Sequence, residues 1–518
     1  MVVNKLNSFD AQRNIYFCCA EYYCIADTIK RTFVFLFILR DTANVKFFFT
    51  NLVIRLHGLE GLGFGGVRGR FCVMMAGMGN DAKKTIAVLG GGAAGLAAAI
   101  AAAEALRAAG VSARVVVYEA DERVGRSILA TGNGRCNFSN AHVEADVYRN
   151  TAFVGDALAE LRCQACAADG VCQLADDPVH AFFADLGLLW REESEGRLYP
   201  LANKASSVLD VLRAVARERS VIEECACAAV RVDAPSKPGE RFHVRFADGR
   251  VAHADAVVVA AGGRAARELV PAGTPYSEPR PVLGPLCTDT AVVKQLNNIR
   301  VRCAVELWGK SGEAVADAAG FAEHAAGGRS FKAREEGEVL FRDYGVSGIA
   351  VFNLSRFAEP GDLLLIDLLP AVPAAECEGF LHTRRKRLGV AGRTVTGDDL
   401  LRGMLLPAVA QAVLKEAGLR ESAPLTKANV PELARALKAF PLVVRGMGDA
   451  RQCQVSRGGF AVEAFDACTM EAQGVPGLHV VGEALDVDAP CGGYNLHWAW
   501  ASGILAGRHA ARIAEAGR

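Results

Sequence analysis

The 518-residue chain carries no net charge: 58 Lys and Arg balance 58 Asp and Glu. Nothing at this level points to nucleic acid or an anionic membrane as a partner. A disulfide framework is missing too. The 16 cysteines are scattered through a long chain, and no positive, apolar and small-residue segments follow one another as in a signal peptide. They read as reduced thiols of a cytoplasmic protein. Cys163, Cys166 and Cys172 do cluster. A structural metal needs a fourth ligand, and only His180 is near in sequence, so no metal site is expected.

Residues 1–80 are poor in alanine, with only five, whereas alanine dominates afterwards. They hold ten of the 25 phenylalanines. They show no period of 2 or 3.6. Their most apolar run, Phe33 to Leu39, falls far short of the ~20 residues a membrane helix needs. This stretch reads either as an N-terminal extension or as translated upstream sequence. In the second case synthesis starts at Met74, Met75 or Met78, and the composition break favours that reading.

What the chain does have is a core. Hydrophobic residues make up 51% and charged residues 22%, as in a globular protein of two or three domains. The informative stretch is Thr85-Ile86-Ala87-Val88-Leu89-Gly90-Gly91-Gly92-Ala93-Ala94-Gly95. An apolar strand runs into a turn in which Gly90, Gly92 and Gly95 have the G-x-G-x-x-G spacing. The first glycine permits the tight turn, the second a close approach to a pyrophosphate, and the third close packing of helix on sheet. A helix is expected over 93–109, with Gly110 at its C′ position. A second strand over 114–118 then ends in Glu119, close to the ~20-residue offset of a ribose-binding acid. Strand, turn, helix, strand and acid together make a dinucleotide site. No second strand-G-x-G-x-x-G-helix unit occurs, so no separate NAD(P)H domain is expected.

The loop after Glu119 is too rich in glycine and small polar residues for helix or strand. It includes Gly125-Arg126-Ser127-Ile128-Leu129 and Gly134-Arg135-Cys136-Asn137-Phe138-Ser139-Asn140. These blocks resemble the signature of the BaiN/YhiN-type flavoproteins, FAD-containing and aminoacetone-oxidase-like oxidoreductases. The family usually has lysine at Ser127. Further resemblance lies in 196–206, in 337–350 (where the family usually has proline at Ile349), and in 477–503. The last block contains Gly482-Glu483 and Pro490-Cys491-Gly492-Gly493-Tyr494-Asn495-Leu496-His497.

The resemblance spans about Lys84 to Arg508 and turns "dinucleotide" into FAD. It implies an α/β fold: a two-part Rossmann-like FAD-binding domain interrupted by an inserted β-barrel-like plus helical domain. The expected bounds are 84–275 and 453–518 for the cofactor domain, 276–372 for the β-rich insert and 373–452 for the helical insert. Strands are expected at 301–307, 338–342, 349–354 and 362–368, and helices with short connections over 155–220.

Cofactor contacts are expected from Gly90, Gly92, Ala93, Ala94 and Gly95, then Glu119 and Ala120. The loop adds Gly125, Arg126, Thr131, Gly132, Gly134, Arg135, Cys136 and Asn137, and a buried strand ends at Ala261 and Gly262. The C-terminal return adds Gly482, Glu483, Asp486, Gly493, Tyr494, Asn495 and Leu496. Glu483 and Asp486 are candidates for the ribityl hydroxyls. The last helix is expected to aim its N–H groups at the flavin carbonyl edge. Tyr494, His497, Lys204 and Cys136 are the candidate catalytic groups.

The expected function is hydride transfer through flavin N5 to or from a small organic substrate, with NADH or NADPH as a transient donor. Amino ketones and enone-type steroids or bile acids are the substrates the resemblance implies. The alternative is a flavin-containing binding or redox-sensor protein associated with RNA. Its support is the basic run Arg384-Arg385-Lys386-Arg387.

Overall fold

The computed structural model describes residues 83–169, 177–237, 239–310 and 327–516. Before them it describes five strands: Phe9–Asp10, Ile15–Tyr16, Tyr23–Asp27, Thr32–Asp41 and Asn44–Phe48. They pair as an antiparallel two-stranded ribbon and a three-stranded sheet in a separate unit, Met1–Asp81. The remaining expectations for residues 1–80, and those for Cys172 and the Cys166 side chain, lie outside the described residues.

From Lys84 on, the chain builds β1 (Lys84–Leu89), α1 (Ala93–Ala108) and β2 (Ala113–Tyr118). Alanine favours helix, and this one is buried along most of its length. It ends in a Schellman motif. Gly110 (φ +64°) donates to Arg107, and Val111 donates to Leu106. Next come α2 (Pro178–Asp185), β3 (Ile222–Glu224) and the fully buried β4 (Ala256–Val259).

The chain then leaves for a second body through Tyr276–Val282 and returns through Val455–Phe460, and these two strands pair antiparallel. The second body is a closed six-stranded barrel of β5 (Leu286–Thr288), β6 (Arg300–Trp308), β7 (Phe331–Arg342), β8 (Gly345–Ser347), β9 (Leu363–Asp367) and β10 (Phe440–Met447). Four helices between Ala374 and Lys438 sit between β9 and β10. The helical insert is thus a loop of the barrel, and β10, inside the stretch expected as helical, closes it.

Two expectations fail locally. The run at 349–354 is a helix, α3 (Ile349–Ser355), not a strand. Its β-branched and aromatic residues misled by propensity. Gly348 (φ +105°) turns the chain out of β8, where an added Cβ would meet the Glu338 carbonyl at 2.3 Å. Ala350, Val351 and Leu354 then pack into the barrel core. The stretch 155–220 is not wholly helical either. Trp190–Glu192 and Arg197–Pro200 form a small sheet with Ser139–Asn140, in strands too short to show a period.

After the return come β11 (Leu478–Val480) and the long final helix α4 (Tyr494–Ala516). The first body's parallel sheet has the order β3-β2-β1-β4-β11. The chain moves outward one way from β1 and later the other way from β4. The β1/β4 junction is therefore the switch point, where a crevice opens at the carboxyl ends of parallel strands.

Helices α1 and α4 pack side by side without large side chains. An added Cβ on Gly503 would lie 2.3 Å from the Ala94 carbonyl, and one on Gly507 2.2 Å from that of Ala98. This close approach explains the alanine-rich α1.

Candidate cofactor and active site

The glycine turn sits at the switch point. Gly90 has φ +107°, and an added Cβ would meet the Ala260 carbonyl at 2.5 Å, at the end of β4. At Gly95 a Cβ would lie 1.9 Å from the Gly90 carbonyl. The turn thus has no room for side chains. Glu119 braces it: Oε2 accepts from Gly91 N–H at 2.7 Å and Oε1 from Asp121 N–H at 2.9 Å. The start of α1 has no side-chain cap at Gly92, so no N-cap side chain occupies its first N–H groups.

The loop after β2 is wound tightly. Gly125, Gly132, Asn133, Gly134 and Cys136 all have positive φ. Thr131 turns its hydroxyl inward to the Ile128 carbonyl at 2.7 Å. Arg126 instead points outward and pairs with Asp121. Arg135 stacks on Tyr199 at 4.0 Å, bonds to Asn203 and pairs with Glu193. Cys136 is fully buried, and burial pushes its thiol up to about 11, which makes it an inert packing residue. Lys204 is exposed at the start of the helix Ala205–Glu218.

Loop and α4 meet at Gly493. An added Cβ there would lie 2.2 Å from the Ser139 carbonyl and 2.9 Å from Asn137 Oδ1. Asn137 Oδ1 is buried and has no hydrogen-bond partner among the described residues. Elsewhere in the predicted cofactor segments, an added Cβ at Gly134 or Gly262 would touch nothing.

The C-terminal return divides the two candidate acids. Asp486 is committed, accepting from Arg149 at 3.0 Å and from Gly458 N–H at 3.0 Å. Glu483 receives no hydrogen bond from the described residues, and burial pushes its carboxyl up to about 7. Asn495 clamps the preceding loop through both Ala489 backbone groups. Tyr494 is half-buried, and its carbonyl accepts from Tyr148. His497, in the first turn of α4, is wholly buried.

Sequence reasoning missed the bridge to the barrel. Cys491 N–H donates to Asn353 Oδ1 at 2.9 Å, and Asn353 Nδ2 donates to Glu335 Oε2 at 3.1 Å. Burial raises the Glu335 carboxyl, outweighing the Asn353 bond and nearby Arg356. These residues lie in different bodies, so no local spacing marks them. Two arginines of the basic run have structural bonds. Arg384 donates to the carbonyls of Leu400 and Arg402, and Arg385 to that of Leu425. Among the described residues no helix is long and apolar enough to cross a membrane.

Comparison with known proteins agrees with this architecture. The family model described as HI0933-like protein Rossmann domain matches residues 84–509. A 3-dehydro-bile acid delta(4,6)-reductase of Clostridium scindens is 33% identical over 437 residues, which is 82% of this chain and 98% of the relative. A ribosomal RNA dihydrouridine synthase of Escherichia coli is 28% identical, over 80% of this chain and 95% of the relative. Among solved structures, 3-ketosteroid delta1-dehydrogenase from Sterolibacterium denitrificans is 14% identical with a TM-score of 0.38, covering 83% of this chain and 100% of that one. The chain belongs to the HI0933-like family and is an FAD-dependent oxidoreductase of the BaiN type.

Proposed function

We propose that this protein adds a hydride to a carbon–carbon double bond conjugated with a carbonyl in a small organic molecule. The observation that carries the site assignment is the buried Asn137 Oδ1, without a hydrogen-bond partner among the described residues, beside the side-chain-free Gly493. A buried polar atom without a partner costs stability, and a bound polar group at this point satisfies it. Bound FAD supplies the hydride chemistry.

The chain's own residues do the rest. The N-terminus of α1, behind Gly90 and Gly92, holds the pyrophosphate. Glu119 holds the turn and faces the adenosine ribose. Glu483 faces the ribityl hydroxyls. Gly492 and Gly493 open α4, whose positive end favours negative charge at the flavin carbonyl edge. Asn137 completes that edge.

The substrate class comes from the relatives. A 3-dehydro-bile acid delta(4,6)-reductase and a dihydrouridine synthase both name saturation of a double bond next to a carbonyl. The small-molecule reading is preferred over RNA. The chain has no net charge, and Arg384 and Arg385 of the basic run are spent on backbone carbonyls. NADH or NADPH serves as a transient donor.

The deciding experiment is anaerobic stopped-flow reduction with each nicotinamide, followed by reoxidation with a panel of enones, amino ketones and uridine-containing rRNA. Reoxidation by enones with loss of their conjugated absorbance is the expected result. Turnover with rRNA alone would replace the reading with the RNA one. No reoxidation by any acceptor would refute it.

A further inference from the structure

The loop tied to the glycine pair is wound against its own residue types. Glu195 has φ +62° and Gly196 φ +70°. An added Cβ on Gly196 would meet Asn140 Oδ1 at 2.5 Å. A glutamate rarely adopts such a conformation, and it persists only where surrounding bonds impose it. Asn140 imposes it here. Its Nδ2 donates to the carbonyls of Glu195 and Gly492, each at 2.9 Å, so one side chain fixes the loop to the first glycine of the pair.

The loop leads into Arg197, which lies directly opposite Asn140 in the antiparallel pairing of their strands. Residues opposite one another in such a pair project from the same face of the sheet. Arg197 therefore shares the face from which Asn140 reaches Gly492. Its side chain is only 15% exposed, and among the described residues its one side-chain bond goes to Glu195, itself 73% exposed. A guanidinium has five N–H donors, so this bond leaves others to spare. Its charge is felt at the glycine pair. Burial raises the Cys491 thiol, to about 12, and the Tyr494 phenol, and in each case Arg197 is the strongest opposing charge. Other arginines nearby are committed: Arg356 and Arg457 to Asp488, Arg149 to Asp486, and Arg135 to Asn203 and Glu193. The buried cluster in which Asp177 Oδ2 lies 3.5 Å from His497 Nε2 is tied off internally by Ser139 Oγ, 2.8 Å from both His497 Nδ1 and His180 Nε2.

We propose that Arg197 hydrogen-bonds the carbonyl oxygen of the enone and stabilises the enolate that hydride addition creates. The inference rests on the reading of the protein as a reductase of conjugated double bonds. Hydride adds to the far carbon of the double bond, and the displaced π pair moves onto the carbonyl oxygen. A proton then adds to the near carbon and the carbonyl re-forms. The hydride and its two electrons come from the nicotinamide donor and the proton from an acid such as Glu335. Arg197 keeps all its own protons, since a guanidinium stays charged in a protein. A fixed donor aimed at developing negative charge is the arrangement that lowers such a barrier. Exchanging the contact with the exposed Glu195 for a substrate oxygen costs little.

The test uses the oxidised, FAD-loaded protein and 4-nitrophenol, whose coloured phenolate carries its charge as an enolate does. No hydride donor is needed. Bound to wild type, the phenol should ionise at least about tenfold more readily than in solution, a shift of about one pH unit. Arg197→Met should abolish the shift and Arg197→Lys keep part of it. Glu195→Gln, which frees the guanidinium and removes a like charge, should enlarge it. Reoxidation of the reduced Arg197→Met variant by an enone should slow about a hundredfold, as for loss of an oxyanion donor, with FAD content and reduction by nicotinamide unchanged. An arginine that only braced the loop would alter FAD content or melting temperature and leave the bound phenol's ionisation as it was. Should Arg197→Met fail to fold, Arg197→Lys and Glu195→Gln decide. Wild type that does not favour the phenolate, a folded Arg197→Met that still does, or Glu195→Gln without effect would each overturn the inference. Wild type that no enone reoxidises would instead overturn the substrate reading, while the phenol titration still judges whether Arg197 holds an oxyanion.

Discussion

Arg356, at the C-terminal end of α3, donates from Nε to Asp488 Oδ1 at 2.6 Å in a buried ion pair. Arg457 donates to both oxygens of the same carboxylate, at 2.9 and 3.1 Å. One acid of the C-terminal return thus joins the barrel to the cofactor body. Burial alone would raise the Asp488 carboxyl, but Arg457 and Arg356 outweigh it and hold it below the ordinary range. Replacing Asp488 by Ala strands two guanidiniums in a dry interface. Loss of one partner of a buried pair costs about 3–5 kcal/mol, so urea unfolding should shift by that order. The sign with pH follows: a depressed carboxylate contributes stability above its unfolded pKa near ~3.9, and that contribution is lost as pH falls through the folded value. In Asp488→Ala this part of the acid dependence should vanish.

The contact between α1 and α4 gives a graded test. Gly503→Ala and Gly507→Ala each push a methyl against a backbone carbonyl, and overpacking of this kind costs about 1–3 kcal/mol. Gly503 faces Ala94, in the first turn of α1, which is proposed to hold the pyrophosphate, whereas Gly507 faces Ala98 one turn further on. Both variants should lose thermal stability, but Gly503→Ala should also shed FAD during gel filtration. Equal FAD retention in the two would mean that the first turn of α1 does not hold the phosphates.

Glu119 has a double task. Its carboxylate receives the Gly91 N–H, so it shapes the turn in addition to its proposed contact with the ribose. Glu119→Arg removes both and adds a like charge to the positive end of α1. FAD affinity measured on the reconstituted apoprotein should fall at least about tenfold, or ~1.4 kcal/mol. Unchanged affinity would take Glu119 out of the site.

The glycine turn, its helix and Glu119 were legible because each meets its neighbours within about thirty residues, inside one βαβ unit. The 349–354 run was misread because Gly348, not the propensity of Ile349 to Leu354, decides the local direction. Asp486 and Glu483 looked equivalent in sequence. Only the fold shows that Arg149 and Gly458 have already taken one of them. Asp177 and Glu335 carry no motif at all. Their meaning depends on His497 and Cys491, which reach them only after the whole barrel has been inserted and closed.

Glu335 offers the sharpest test of the proposed chemistry. Saturating a double bond requires a proton as well as a hydride. Glu335 stands on β7, linked through Asn353 to the backbone of Cys491 next to the glycine pair. Burial raises its carboxyl, and the charge of Glu195 adds to the effect, so more of it stays protonated toward neutral pH than an ordinary glutamate would. A donor of this kind contributes about 10²–10⁴-fold to the rate. Its protonated fraction falls as pH rises through its pKa, so wild-type kcat with an enone should decline on the alkaline side. Glu335→Gln keeps the Asn353 hydrogen bond but has no proton to give. Its kcat should drop about a hundredfold and lose that alkaline decline, with FAD content and reduction by nicotinamide unchanged. A variant that reduces enones at the wild-type rate would place the proton source elsewhere in the cleft.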